Sequence, residues 1–187
     1  MRAAERLFSR RRFHEVKMDD VARLARVGKG TIYRYFESKD DLFMKVLLSG
    51  THELCEAIRR TSAQRIPFPQ QVEVVLSDVS RTTMKHRRLF RLVHSGEAPM
   101  LSVSPALRAQ WCESRRELLD ALTSWISRGV AEGHIRADIS PEIIATGLLG
   151  MLRGVTIHRG LPGQDTIRPI MALFLEGAVN SAAPRRP

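Results

Sequence analysis

The residues best suited to chemistry lie between Phe13 and Leu42, where the chain reads FHEVKMDDVARLARVGKGTIYRYFESKDDL. At about 100° per residue on a helix, Ile32 and Phe36 share one face and turn inward. Thr31, Arg34 and Tyr35 share the opposite face and project outward. A small hydroxyl, a guanidinium and a phenol on one short outward face suit base edges and phosphate oxygens. Gly28 and Gly30 allow a close backbone approach at the start of this helix, where open amides and the dipole attract phosphate. Lys39, one residue beyond Ser38, sets an ammonium beside the N-terminus of the next helix.

The charge points the same way. The chain carries 30 Lys/Arg against 20 Asp/Glu, a formal net charge of +10. Residues 1–36 hold ten Lys/Arg and four acids, a net of +6, which leaves +4 for the remaining 151 residues. An anionic partner is favoured, and its contact is expected at the N-terminal end.

The elements that must hold these residues are helical. No stretch alternates with period 2, and no Asn-Gly or Asp-Gly hairpin turn occurs. Ala4, Leu7 and Phe8 mark a helix over about 2–11; Met18, Val21, Ala22 and Ala25 mark a second over about 18–25. A four-residue turn, Arg26 to Lys29, leads to a short third helix over 31–36, the layout of a helix-turn-helix whose second helix enters the major groove. Ser38 reads as an N-cap, with Asp40 and Asp41 in the first turn of a long helix reaching about residue 63. Pro67 and Pro69 interrupt the pattern. Helical stripes follow from Val72 to Val79 and from Leu89 to Val93, then a loop from Gly96 to Pro105. A long helix runs from Leu107 to near Gly133, one starts at Ser140-Pro141, and a last one spans about 167–180. With 187 residues and 43% apolar content, the chain can build a small module joined to a larger helical domain.

The segments Val27-Gly28-Lys29-Gly30-Thr31-Ile32-Tyr33-Arg34-Tyr35-Phe36 and Ser38-Lys39-Asp40-Asp41-Leu42 resemble the signature of the TetR family of transcriptional repressors. Ala4 to Phe8, Phe13 and Asp20-Val21-Ala22 fit the same pattern, so the close resemblance covers about residues 3–47. It implies an all-α homodimer: a three-helix DNA-binding domain over 1–45, and a helical ligand-binding and dimerisation domain over 46–187. Carried over by motif position, Thr31, Tyr33, Tyr35 and Lys39 would contact DNA mainly through phosphates. Lys29, Gly30 and Arg34 would lie near base edges, and Lys17 and Met18 would touch the DNA backbone. Three positions depart from the family pattern. Arg12 stands where glycine is usual. Lys17 stands where Ser or Thr often caps the second helix. Arg26 stands in a turn that commonly reads Ala-Gly-Val-Ser, and costs on the order of 1 kcal/mol if φ must be positive. Family members also carry further apolar residues ahead of this point, so either the first helix is short or the true start lies upstream of Met1.

The family pairs its last two long helices, so the resemblance places a dimer interface on helices 141–159 and 167–180. The candidates are Ile144, Gly147, Gly150, Met151, Gly154, Ile170 and Phe174, with the glycines along one stripe allowing close helix approach. A ligand cavity is expected among the middle helices, with Phe90, Trp111 and Met151 as apolar walls and His94, Arg115 and His158 as polar anchors. The sparse polar inventory suits a hydrophobic or aromatic effector, neutral or anionic.

Other chemistries find little support. Cys55 and Cys112 are far apart and read as buried free thiols of a reducing cytosol. No His or Cys pair has zinc spacing, no nucleophile elbow or phosphate loop occurs, and no cofactor is implied. No run approaches the roughly 18 to 20 apolar residues of a membrane span, and the N-terminus lacks a signal-peptide core. A cytoplasmic regulator released from a palindromic operator by a small molecule is the expectation. The alternatives are a DNA-binding regulator without an inducer and a basic architectural protein without sequence preference.

Overall fold

The computed structural model describes residues 1–94 and 103–157, together with 169, 172, 173, 176 and 177. Among the described residues every regular element is helical. The order is α1 (Arg2–Phe8), a 3-10 turn (Phe13–Glu15), α2 (Met18–Ala25), α3 (Lys29–Tyr35), α4 (Lys39–Ser62), α5 (Phe68–Lys85), α6 (Arg87–His94), α7 (Pro105–Ala131) and α8 (Pro141–Ile157). The expected helix over 167–180 and the loop after residue 94 fall largely outside the described residues.

Local chemistry accounts for most boundaries. α1 stops three residues short of the expected end: the amides of Arg10 and Arg11 both turn back onto the Leu7 carbonyl, and the chain then seats Phe13 over the core. Phe8, Phe13 and Phe43 form a three-ring cluster with centroids 5.2–5.9 Å apart, each pair worth about 0.5–1.5 kcal/mol beyond its buried area. This cluster fixes α1 and the 3-10 turn onto α4.

α2 ends in a Schellman motif: the Val27 amide donates to the Ala22 carbonyl and the Arg26 amide to that of Arg23. The motif requires a left-handed residue, and Arg26 supplies it with φ 56° and ψ 42°. Among the described residues it is the one non-glycine with positive φ. Arg12, by contrast, has φ −65°, so nothing in its conformation calls for glycine.

Ser38 caps α4 as expected, its hydroxyl accepting from the Asp41 amide at 3.0 Å. α5 starts at Phe68, earlier than its apolar stripe, because proline near the N-terminus has no helical hydrogen bond to lose. The Phe68 ring is then clamped between Trp125 (centroids 5.3 Å apart) and His134 (5.5 Å), over Gly129. A Cβ on Gly129 would stand 2.2 Å from that ring, so α5 and α7 meet only because residue 129 lacks one. Ser104 caps α7, and Gly133, with φ 77°, turns the chain out of its C-terminal end.

α4 is the spine. Leu42, Phe43 and Val46 join the N-terminal helices, while Leu54 and Ile58 lie further along it, where α4 packs against α5 and α7. α8 packs on α6 and α7. The expected domain boundary near residue 45 therefore falls inside a continuous helix, at a change of packing partners rather than at a linker.

Candidate nucleic-acid interface and internal cavity

α3 packs one residue inward and leaves the rest for a partner. Ile32 is buried and Phe36 half-buried against the core, whereas Lys29, Gly30, Tyr33, Arg34 and Tyr35 are exposed. Tyr33 and Tyr35, the chain's only tyrosines, are 46% and 62% exposed, far more than aromatic rings held for packing. The Arg34 guanidinium lies 5.3 Å from the Tyr35 ring, and the Lys29 ammonium lies 6.0 Å from that of Tyr33. Lys29 also pairs with Asp19 at 3.0 Å, and this hydrogen bond raises its pKa, so it is fully charged at neutral pH. Thr31 is half-buried at the edge of this face. No side chain caps α2 or α3, so their first amides stay open at the same surface. A Cβ on Gly30 would meet nothing within 4 Å, so the fold itself does not require glycine there.

Two expected contacts look different in three dimensions. The Met18 side chain is 7% exposed and belongs to the core, which leaves only its main-chain amide for DNA; Lys17 beside it is exposed. The Lys39 ammonium is turned back onto the 3-10 turn, donating to the Phe13 carbonyl at 3.0 Å and lying 4.4 Å from the Phe13 ring. An ammonium has three donors, so Lys39 keeps hydrogen-bonding capacity for a phosphate while tying α4 to the α1–α2 connection. The sequence reading missed Lys45, which donates to the Tyr35 carbonyl at 3.3 Å and to Asp41 at 3.1 Å, closing the C-terminal end of α3. Its i,i+4 spacing from Asp41 was the available signal.

A second feature lies in the larger half of the chain. A cavity of about 560 Å³ opens between α4, α5, α6, α7 and α8. Its lining includes the expected Phe90, Trp111 and Arg115, and also Thr51, Leu54, Thr83, Cys112, Arg116, Leu118, Leu119, Thr146, Leu149 and Gly150. Met151 is absent from the wall: it is 37% exposed on α8. The His94 side chain and His158 lie outside the described residues. Cys112 is exposed, not buried as expected, because its turn of α7 faces this opening; Cys55 is buried, and burial pushes its thiol up to about 11.

Residues 1–46 match the family model for bacterial regulatory proteins of the tetR family. Over 150 residues the chain is 26% identical to the uncharacterized HTH-type transcriptional regulator YhgD of Bacillus subtilis, covering 80% of this chain and 76% of that one. It is 24% identical over 187 residues to the HTH-type transcriptional repressor AcnR of Corynebacterium diphtheriae, covering 98% and 91%. Residues 1–46 thus carry the DNA-binding signature of the tetR family. The fold agrees: the transcriptional regulator FadR from Bacillus subtilis, solved in complex with stearoyl-CoA, superposes with a TM-score of 0.72 at 16% identity, over 94% of this chain and 96% of that one. The chain thus joins an N-terminal tetR-type helix-turn-helix to a helical C-terminal part, and is similar over most of its length to transcriptional regulators.

α8 presents buried and exposed residues. Ile144, expected at the dimer interface, is 6% exposed and packs into the core of its own chain, where α8 meets α6 and α7. Gly147, Gly150, Met151 and Gly154 are exposed, and Ile143 is 65% exposed. A Cβ on any of the three glycines would meet nothing within 4 Å. Ile170 and Phe174 lie outside the described residues.

The junction between the two halves of the chain was not visible in the sequence. His86 fills the one-residue break between α5 and α6 and is 3% exposed. Its Nε2 is 3.2 Å from Glu53 of α4, and its Nδ1 is 3.5 Å from Glu5 of α1. Lys85 pairs with the same two carboxylates, at 2.8 and 3.7 Å. Arg88 of α6 donates to the Arg10 carbonyl beyond α1 at 2.8 Å. His86 also packs edge-on to Phe90, which lines the cavity. No helix among the described residues is long and apolar enough to cross a membrane.

Proposed function

We propose that this regulator is a cytoplasmic repressor that binds a palindromic operator as a homodimer and releases it when a small apolar molecule fills the cavity. The observation that carries the DNA contact is the outer face of α3, where both tyrosines, Arg34 and Lys29 stand exposed around two uncapped helix starts. Lys17, the Met18 amide, Lys29, Gly30, Thr31, Tyr33, Arg34, Tyr35 and Lys39 form the proposed contact set. The functional division lies near residue 45. The exposed side of α8, from Ile143 to Gly154, is the proposed part of the dimer face, and two copies are needed because one short helix buries too little surface for tight specific binding. The relative named as a repressor and the related fold holding stearoyl-CoA support the reading.

The junction supplies a route for the effector. Phe90 touches both the cavity and His86, and His86 faces Glu5 on α1. A ligand that shifts α6 against Phe90 moves His86 beside Glu5, and with it Arg88, which holds the Arg10 carbonyl just past α1, and so changes the separation of the two recognition helices. Occupancy must favour the released state by several kcal/mol to switch the regulator.

The test is operator selection from random DNA, followed by binding at several salt concentrations. A two-fold symmetric site with half-sites one helical turn apart, or a multiple of it, and steeply salt-dependent affinity is expected. If random-sequence DNA competes as well as the selected site, the protein is a general DNA binder and this reading fails.

A further inference from the structure

The cavity has a polarity that specifies its occupant beyond "small and apolar", and the inference rests on the effector reading above. Trp111 and Leu118 of α7 are buried walls, and Phe90 and Leu54 close the interior. Arg115, on the same face one turn past Trp111, is exposed at the water edge, and no ion pair engages it among the described residues. Its neighbour Arg116 also lines the opening but is tied to Glu113 at 3.1 Å. Among the described residues none in the lining carries a carboxylate; their other polar contributions are the hydroxyls of Thr51, Thr83 and Thr146 and the Cys112 thiol.

From this arrangement we infer that the ligand is an anionic amphiphile: a carboxylate or similar planar anion held by Arg115 at the rim, with an apolar body directed toward Phe90. Three physical reasons converge. The interior cannot take a charge without a paired partner, so the ionic end must stay at the rim. A guanidinium fork binds a carboxylate through two parallel hydrogen bonds, which fixes orientation as well as affinity. A cation at the same rim would meet like charge and find no carboxylate among the described residues of the wall. The volume falls in the range of sites that enclose most of a drug-sized molecule.

The experiment uses the full chain and three probes that share one apolar body: dodecanoate, 1-dodecanol and dodecyltrimethylammonium, each below its aggregation threshold. Binding is read by calorimetry and by tryptophan fluorescence, since Trp111 lines the cavity. Dodecanoate is expected to bind about tenfold or more tighter than dodecanol, and the ammonium weakest. Arg115→Met should weaken dodecanoate by about tenfold and leave dodecanol within about threefold, while Arg116→Met has the smaller effect because Glu113 already occupies it. Arg115 is exposed, so circular dichroism of the variant should match the parent. Equal affinity for carboxylate and alcohol, preference for the ammonium, absence of saturable binding by all three, or indifference to Arg115→Met each overturns the inference. Operator release is measured separately. Dodecanoate that binds through Arg115 without displacing operator DNA would refute the effector reading and leave the site chemistry standing. Displacement of DNA by an uncharged or cationic ligand through this cavity would do the reverse.

Discussion

Arg26 shows how a single backbone angle can be separated from a binding role. The Schellman motif at the end of α2 demands a left-handed residue, and a side chain there costs about 1 kcal/mol relative to glycine. Arg26→Gly is therefore expected to raise stability by about that amount, or a melting temperature by about 2–4 °C in a chain of this size. If the guanidinium contacts a phosphate, the same variant lowers the slope of log affinity against log salt by about one. Higher stability with an unchanged slope would assign Arg26 no part in binding. Tyr35 and Lys39 differ in the same two measurements. Tyr35 touches mainly solvent, so Tyr35→Ala should leave the melting temperature unchanged and weaken operator binding by about 1–3 kcal/mol. Lys39 holds the Phe13 carbonyl, so Lys39→Ala should lower both. A normal operator affinity in folded Tyr35→Ala would remove α3 as the reading surface.

At the scale of elements, the meeting point of α1, α4, α5 and α6 couples charge to architecture. Burial pulls the Glu53 carboxyl upward, but hydrogen bonds from Lys85 and His86 and their charges outweigh it, leaving Glu53 below its ordinary value of 4.5. Lys85 is raised above 10.5, chiefly by its hydrogen bond to Glu53, against a smaller opposing effect of burial. A depressed carboxyl stabilises the fold above its unfolded pKa, and that contribution disappears as pH falls through the lower folded value. A raised lysine contributes below its unfolded pKa and loses that contribution as pH climbs through the folded one. The part of the stability difference between wild type and Glu53→Gln that comes from Lys85 should accordingly persist through pH 8 to 9, and the whole difference should vanish on acidification below the ordinary glutamate range of about 4.3–4.5. Chemical denaturation at several pH values tests this, with Glu5, His86 and Lys85 left in place. A difference that persists at pH 2 would mean that Glu53 acts through packing rather than charge.

For the whole molecule, the exposed residues of α8 bear on a second copy. Ile143 projects into solvent and Gly147 has free space around it, although both belong to a helix whose other side is core. Ile143→Glu and Gly147→Leu are expected to leave the protomer folded while shifting sedimentation from dimer toward monomer at about micromolar concentration, with loss of operator affinity in parallel. A wild-type chain that sediments as a monomer under those conditions would sink the dimer, and two variants that stay dimeric would move the interface elsewhere.

The sequence by itself determined what neighbours along the chain can decide. The helical period, the Ser38 cap, the turn at Arg26 and the alternation of Ile32 with Arg34 and Tyr35 all act within one or two turns, and each survives in the structure. The same locality made the DNA-binding motif legible, because its chemistry is packed into one helix-turn-helix. Only the tertiary structure decided which side of each long helix is inside. Ile144 and Met151 lie on the same amphipathic stripe of α8 by spacing, yet one is core and the other is exposed, because packing by α6 and α7 rather than helical period sets how far along that stripe burial extends. The cavity wall draws residues from five helices, and the junction brings Glu5, Glu53 and His86 together from positions up to 81 apart in the chain. Such contacts depend on the angle and register of packed helices, which are set by side chains distant in sequence. A reading by residue type therefore found Phe90, Trp111 and Arg115 but passed over the threonines and leucines beside them.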